Sequence, residues 1–173
     1  MNEFSVRMAS LDDVDAIYRL YLDVAKHPGG LARLESEIHH ETIQRFVTNS
    51  CKAGLILVAE NNGQILGEIH GYGPGLFCFA HVLSELTIAV APKSQGKGVG
   101  RMLFEQFMSH VNLKLPDVLR VELIARESNY KAIAFYQSLG FQKEGCFHQR
   151  IRNVDGTLES DIPMAWCREE QVR

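Results

Sequence analysis

The sequence predicts an α/β (α+β) fold in one domain spanning residues 1–173, with a mixed central sheet of about six to seven strands flanked by about four helices. Three observations lead there. Leu83 to Val90 is aliphatic and β-branched, Pro92 ends its pairing, and a glycine-rich loop then leads into an amphipathic segment. Asn61, Asn62 and Gly63 lie between two strand-like runs, the signal of a tight hairpin. Val118 to Ala125 is strand-like again, so strand, helix and strand make a parallel crossover. A length of 173 residues, 46% hydrophobic and 23% charged, suits one compact core better than two.

Taken in order, Phe4 to Met8 is a short strand and Ser10 caps a helix whose first turn holds Asp12 and Asp13. Val14, Ile17, Tyr21 and Val24 mark its buried face, and Pro28, Gly29 and Gly30 stop it. A second helix is expected from about Leu34 to Ser50 on the pattern of Ile43, Phe46 and Val47, with Glu35, Glu37, His39, His40 and Glu41 on its solvated side. Leu55 to Glu60 and Gln64 to Tyr72 form the hairpin, and Phe77 to Ala80 is a loop or strand entry.

After the glycine loop, Val99, Leu103, Phe107 and Val111 recur at helical spacing beside Met102, Phe104 and Met108. Ser128 or Asn129 caps a further helix with Ala132, Phe135, Tyr136 and Leu139 on one side and Gly140 as its left-handed stop. Phe141 to Ile151 and Leu158 to Trp166 are the last strands, joined by a turn near Asp155 and Gly156.

A net charge of -3 with no dense Lys/Arg stripe disfavours a nucleic-acid partner. Cys51, Cys78, Cys146 and Cys167 are far apart, without CxxC or metal-ligand spacing, so they are expected to be free, buried thiols and no metal site is expected. The N-terminus lacks the basic start and apolar run of a signal peptide, and no apolar run approaches membrane-spanning length. The expectation is a cytoplasmic protein with no membrane partner, and an exposed sheet edge at the C-terminal strands would allow a homodimer.

The stretch Val90 to Arg101, VAPKSQGKGVGR, carries most of the functional signal. Gly96, Gly98 and Gly100 leave backbone N–H groups unshielded at the positive end of a helix, where a phosphate or pyrophosphate can be held. A Walker A loop would need Ser or Thr after Lys97, where Gly98 stands, and the third glycine comes one residue early for a dinucleotide fingerprint. The stretch instead resembles the Gln/Arg-x-x-Gly-x-Gly/Ala signature of the GNAT superfamily of acyl-CoA N-acyltransferases, matched at Gln95, Gly98 and Gly100. A second block, Ser128 to Phe141, resembles that family's Asn-x-x-Ala-x-x-x-Tyr-x-x-x-Gly-Phe segment at Asn129, Ala132, Tyr136, Gly140 and Phe141. The predicted element order is also that of a GNAT domain.

The resemblance implies an acetyl-CoA-dependent N-acetyltransferase working by direct transfer in a ternary complex. It implies that the backbone of Ile88, Ala89 and Val90 pairs with the pantetheine arm, and that N–H groups of Gly96, Lys97, Gly98, Val99, Gly100 and Arg101 hold the pyrophosphate, with Gln95 and Asn129 assisting. A lysine-type amine has a pKa of about 10.4, so a base must take its proton before it can attack. Glu85 is the first candidate and Glu122 the second; His70 and His81 have the right titration range but are expected to be structural. Tyr136 is the expected acid for the departing thiolate, and partial burial is expected to tune Glu85. The expected acceptor is a small-molecule primary amine, with a protein N-terminus or lysine as the alternative. A non-catalytic acyl-CoA-binding regulatory module is the competing class. Glu35, Glu37 and Glu41 lean toward a cationic amine, whereas His148, Arg150 and Arg152 of the last hairpin suit a carboxylate.

Overall fold

The computed structural model describes residues 4–27, 31 and 33–169. Strand β1 (Ser5–Met8) leads through a single 3-10 turn, Leu11–Asp13, into helix α1 (Val14–Ala25). Ser10 Oγ accepts from Asp12 N–H at 3.2 Å and Ser10 N–H donates to Asp13 Oδ2 at 2.8 Å, a reciprocal cap at the expected position. The helix stop expected at Pro28, Gly29 and Gly30 lies outside the described residues, as do residues 170–173 of the C-terminal tail.

The second helix, α2 (His40–Ala53), begins later than the sequence predicts. Residues 35–37 form one 3-10 turn, closed by Leu34 N–H donating to Glu37 Oε2 at 2.8 Å, and Ile38 and His39 are extended. Ile38 is buried, so its packing holds the chain extended where helical propensity alone would continue the helix.

Strands β2 (Gly54–Asn61) and β3 (Gln64–Tyr72) form the expected hairpin, with Asn62 and Gly63 both at positive φ in the turn. Strand β2 is apolar and buried from Leu55 to Ala59 because both its faces are covered there. Leu55 and Leu57 enter one core with Leu103, Phe104, Phe107 and Met164; Ile56 and Val58 enter a second with Ile17, Val24, Ile43 and Val47.

Strand β4 (Val82–Val90) and helix α3 (Val99–Lys114) follow, with a 3-10 turn, Pro92–Ser94, between them; residues 77–79, expected as loop or strand entry, form another such turn. Helix α3 lies close against β3 at Gly67, where an added Cβ would come within 3.0 Å of Leu103 Cδ1 and 3.1 Å of Val99 Cγ1. Strand β5 (Arg120–Arg126) pairs parallel with β4, and helix α4 (Tyr130–Ser138) ends before Gly140 at φ +90°. The expected strand Phe141 to Ile151 is two strands, β6 (Gln142–Lys143) and β7 (Phe147–Arg152), which occupy successive parts of one edge of β8 (Leu158–Cys167).

The strands form one eight-stranded mixed sheet in the order β1-β2-β3-β4-β5-β8-β6, with β7 beside β8. The predicted class holds, with more strands than expected because the last hairpin's first strand is interrupted. The four cysteines are free, but they are not buried: Cys51, Cys78 and Cys167 are exposed and Cys146 is half-buried. Cys51 follows the core-facing Val47 and Ser50 on α2 and turns outward, while Cys78 and Cys167 lie in a surface turn and at a strand end. Among the described residues, no helix is long and apolar enough to cross a membrane.

Candidate active site

Two local features of β4 create the site. Its parallel pairing with β5 covers only Val82 and Leu83, opposite Arg120 and Val121, after which the two strands separate while β5 continues along β8 to Arg126. Earlier, opposite β3, Thr87 faces His70 but Ser84 faces Tyr72, so Glu85 and Leu86 together oppose Gly71 in a β-bulge. Glu85 stands at φ +54°, a left-handed conformation that a non-glycine side chain adopts at a cost of about 1–2 kcal/mol.

The register fixes which backbone groups face the gap. Ala91 N–H donates to Leu66 O at 2.8 Å, so Ala89 and Thr87 also exchange hydrogen bonds with β3, and Ile88 and Val90 turn their N–H and C=O groups to the open edge. Gln95 Nε2 donates to Val90 O at 3.2 Å, consistent with that orientation. Ala89 is buried and faces the core under α1 and α2, so of the three residues predicted to pair with an extended ligand, it is the one whose polar groups face β3.

Beyond the open edge lies a cleft of about 490 Å³. Ile88 and Val90 form one wall, the loop from Ser94 to Arg101 its end, and Asn129, Lys131 and Tyr136 of the α4 region the other wall. Gly96 and Gly98 have φ of +75° and +83°, and no heavy atom lies within 4 Å of where a Cβ would stand on either. That leaves open space before the backbone N–H groups at the start of α3, a cradle suited to an anionic phosphate.

Predicted residues Gln95, Gly96, Gly98, Val99, Gly100, Arg101, Asn129 and Tyr136 all line this cleft; Lys97 is exposed and does not. Arg101 lies over the Phe135 ring at 4.8 Å and pairs with Glu105 at 3.3 Å. Ser94, Phe104, Lys131, Ala132 and Phe135 also line the cleft, unassigned by sequence reasoning. The placement of Ala132 four residues before Tyr136, on the same helix face, with Phe135 next to Tyr136, was the available signal.

Asn129 Oδ1 accepts from Ala132 N–H at 3.2 Å, so it caps α4 as well as lining the cleft. Tyr136 packs against Phe104 at 5.1 Å between ring centroids, and burial pushes its phenol above the usual range, keeping it protonated at neutral pH.

On the opposite face of β4 is a second cavity of about 290 Å³, bordered by Tyr21, Arg33, Arg45, His70, Tyr72 and Glu85 among others. Glu85 is exposed at its margin, not partly buried as expected. Its charge, after burial, is the next cause raising the Tyr72 phenol above its ordinary value. Glu122 lines neither cavity and is held by Arg120 Nε at 2.6 Å, with Glu144 on the same guanidinium.

Sequence reasoning missed Glu68. Its carboxylate is fully buried on β3, accepting from Tyr21 Oη at 2.9 Å and lying 2.9 Å from His70 Nδ1. Burial, with the Glu68 charge beside it, pushes the Tyr21 phenol well above its ordinary value. A carboxylate accepts, so Nδ1 is the side of the His70 ring that donates to Glu68. His70 stacks on Phe46 with centroids 4.0 Å apart and borders the second cavity. The available signal was the alternation of Glu68 and His70 on one face of a strand otherwise apolar.

Residues 52–143, more than half of the chain, match the family model described as an acetyltransferase (GNAT) domain. The chain is 29% identical over 108 residues to a spermidine N(1)-acetyltransferase of Vibrio cholerae, covering 62% of this chain and 54% of that protein. It is 43% identical over 65 residues to the [ribosomal protein bS18]-alanine N-acetyltransferase of Salmonella typhimurium, covering 36% of this chain and 43% of that protein. It thus spans about half the length of the curated relatives it matches. Among solved structures, a GNAT-family acetyltransferase of Streptococcus pneumoniae is similar in fold with TM-score 0.86 at 19% identity, over 96% of this chain and 100% of that one. YncA of Salmonella typhimurium, solved with acetyl-CoA as cofactor, has TM-score 0.83 at 20% identity over 99% and 98%.

Proposed function

This chain belongs to the GNAT acetyltransferase family, and from that membership we propose that it transfers the acetyl group of acetyl-CoA to the primary amine of a small molecule. The observation that carries the reading is the junction at β4, where a phosphate cradle and open backbone edge lie on one side and a charged cavity on the other.

Acetyl-CoA supplies the activated acyl group. The chain's residues hold it: N–H groups from Gly96 to Arg101 receive the pyrophosphate, and the edge of Ile88 and Val90 pairs with the amides of the pantetheine arm. An N–H on that edge also polarises the acyl carbonyl, a preorganised donor that needs no rearrangement during reaction. Glu85 takes a proton from the incoming ammonium, and its exposed position passes that proton to solvent. Tyr136 Oη holds a proton for the sulfur as the C–N bond forms and the C–S bond breaks.

A calorimetric titration with acetyl-CoA beside ATP, followed by a CoA-thiol release assay with amines, tests this reading. Saturable acetyl-CoA binding with ATP silent, and amine-dependent thiol release, is the expected result. Saturable binding without release for any amine would favour a non-catalytic acyl-CoA-binding module, and no binding would remove the cleft assignment.

A further inference from the structure

The second cavity has two charged ends. Arg33 and Arg45 both border it, and neither has an ion-pair or hydrogen-bond partner among the described residues, although both act electrostatically on Tyr72. Glu85 and His70, backed by buried Glu68, border the same space from the sheet. The arginines expected to face an acceptor, on the last hairpin, are elsewhere: Arg150 lies 3.7 Å from Asp161 and over the Phe147 ring, and neither it nor Arg152 lines this cavity.

An unpaired guanidinium at a cavity wall is a planar, permanently charged donor that matches a carboxylate in two-point contact. At the sheet end, the Glu85 carboxylate is an acceptor suited to an ammonium group, with the His70 ring edge beside it. A volume of about 290 Å³ is at the small end of ligand pockets, room for one compact molecule and not for an extended peptide. From this juxtaposition we infer that the acceptor is a zwitterion of the α-amino-acid class, its carboxylate on Arg33 and Arg45 and its amine toward Glu85 and His70.

The inference rests on the acetyl-transfer reading and narrows its acceptor. A polyamine such as spermidine carries only positive charge and would meet both guanidiniums unshielded, so it is disfavoured by repulsion as well as by lost contacts. A peptide N-terminus has an amide where the amino acid has its carboxylate, and leaves both arginines unpaired. Thr87, which borders this cavity, adjoins Ile88, whose backbone faces the open edge, so the two sites lie on either side of the same stretch of β4.

The test uses the full chain with acetyl-CoA and pairs of acceptors differing only in the carboxylate: histidine and histamine, tyrosine and tyramine, with spermidine and an alanine-initiated peptide alongside. CoA-thiol release gives kcat/KM for each, and acetyl-CoA affinity is measured separately by calorimetry. The amino acid of at least one pair should exceed its decarboxylated partner by roughly tenfold or more, the scale set by a lost charged hydrogen bond. Arg33→Gln and Arg45→Gln should each reduce that ratio mainly through KM, with acetyl-CoA affinity unchanged.

Equal or better turnover of the amines, spermidine or the peptide overturns the zwitterion assignment, as does discrimination that survives both arginine substitutions. Saturable acetyl-CoA binding with no response to any amino acid overturns it too, while leaving the cofactor reading in place. Failure of acetyl-CoA to bind removes the transfer reading itself, a result distinguishable from all of these.

Discussion

His70 Nδ1 lies 2.9 Å from Glu68 Oε1, two residues apart on one face of β3, and Tyr21 Oη closes on the other carboxylate oxygen at the same distance. A fully buried carboxylate with both oxygens engaged is tolerable because its partners supply the hydrogen bonds lost with water. The arrangement holds the His70 ring flat against Phe46 and presents its edge to the second cavity.

Truncating that carboxylate should cost more than the pair itself is worth. Glu68→Ala leaves the Tyr21 hydroxyl and His70 Nδ1–H without their acceptor and is expected to destabilise the fold by about 3–5 kcal/mol. Glu68→Gln, which keeps one acceptor oxygen, should cost clearly less. Urea denaturation of both variants checks the order; equal losses would show that the one acceptor oxygen kept by glutamine rescues nothing, since glutamine fills the same space and leaves no cavity.

Tyr136→Phe separates acid catalysis from binding. Turnover should fall by about 10² or more while acetyl-CoA affinity, carried by the loop and strand backbone, stays within about twofold. The same variant has a stability signature. Burial raises the Tyr136 phenol in the fold, so its contribution is fully present below the unfolded value near 10 and is lost as pH rises through the folded value. Denaturation midpoints measured across pH 8 to 12 should therefore fall less steeply for Tyr136→Phe than for the parent. An unchanged turnover would remove Tyr136 from the chemistry.

Gly98 and Gly100 are two residues apart and should respond differently to alanine. Gly98 is left-handed at φ +83° with open space around it, so Gly98→Ala is expected to cost about 1–2 kcal/mol through backbone strain alone. Gly100 has no such φ, and an added Cβ would meet Val90 Cγ2 at an ordinary 3.4 Å, so Gly100→Ala should leave stability within about 0.5 kcal/mol. That methyl would nonetheless project near the cleft walls, so acetyl-CoA affinity should drop. Thermal denaturation and calorimetry of the two variants together check this; a Gly100→Ala protein with unaltered affinity would argue against close cofactor approach there.

Local pattern made much of the fold legible in advance. The hairpin at Asn62 and Gly63, the buried stripe of α3, the Asn129 cap and the Gly140 stop each follow from the propensity or periodicity of adjacent residues, and each appears where expected. The start of α2 did not follow, because Ile38 is held extended by the core it enters. The split of β6 from β7 did not follow either, since β8 pairs with each along a different part of its length. Of the cysteines expected to be buried, Cys51, Cys78 and Cys167 turn outward and Cys146 is half-buried, because the type of a residue gives its tendency and the packing of its neighbours gives its side.

The glycine loop, its setting between strand and helix, and the second block that carries Asn129 and Tyr136 are legible from the order of residues alone. Those are local matters of backbone freedom and periodicity, set by residues close together in the chain. The tertiary structure alone decided that β4 parts from β5 after Leu83, that a bulge stands Glu85 at the edge of a cavity, and that Tyr21, Glu68 and His70 form one buried network. It also brought Arg33 and Arg45 to the same cavity. These depend on strand register and on helices from distant parts of the chain meeting one sheet face, and no spacing between neighbouring residues encodes them.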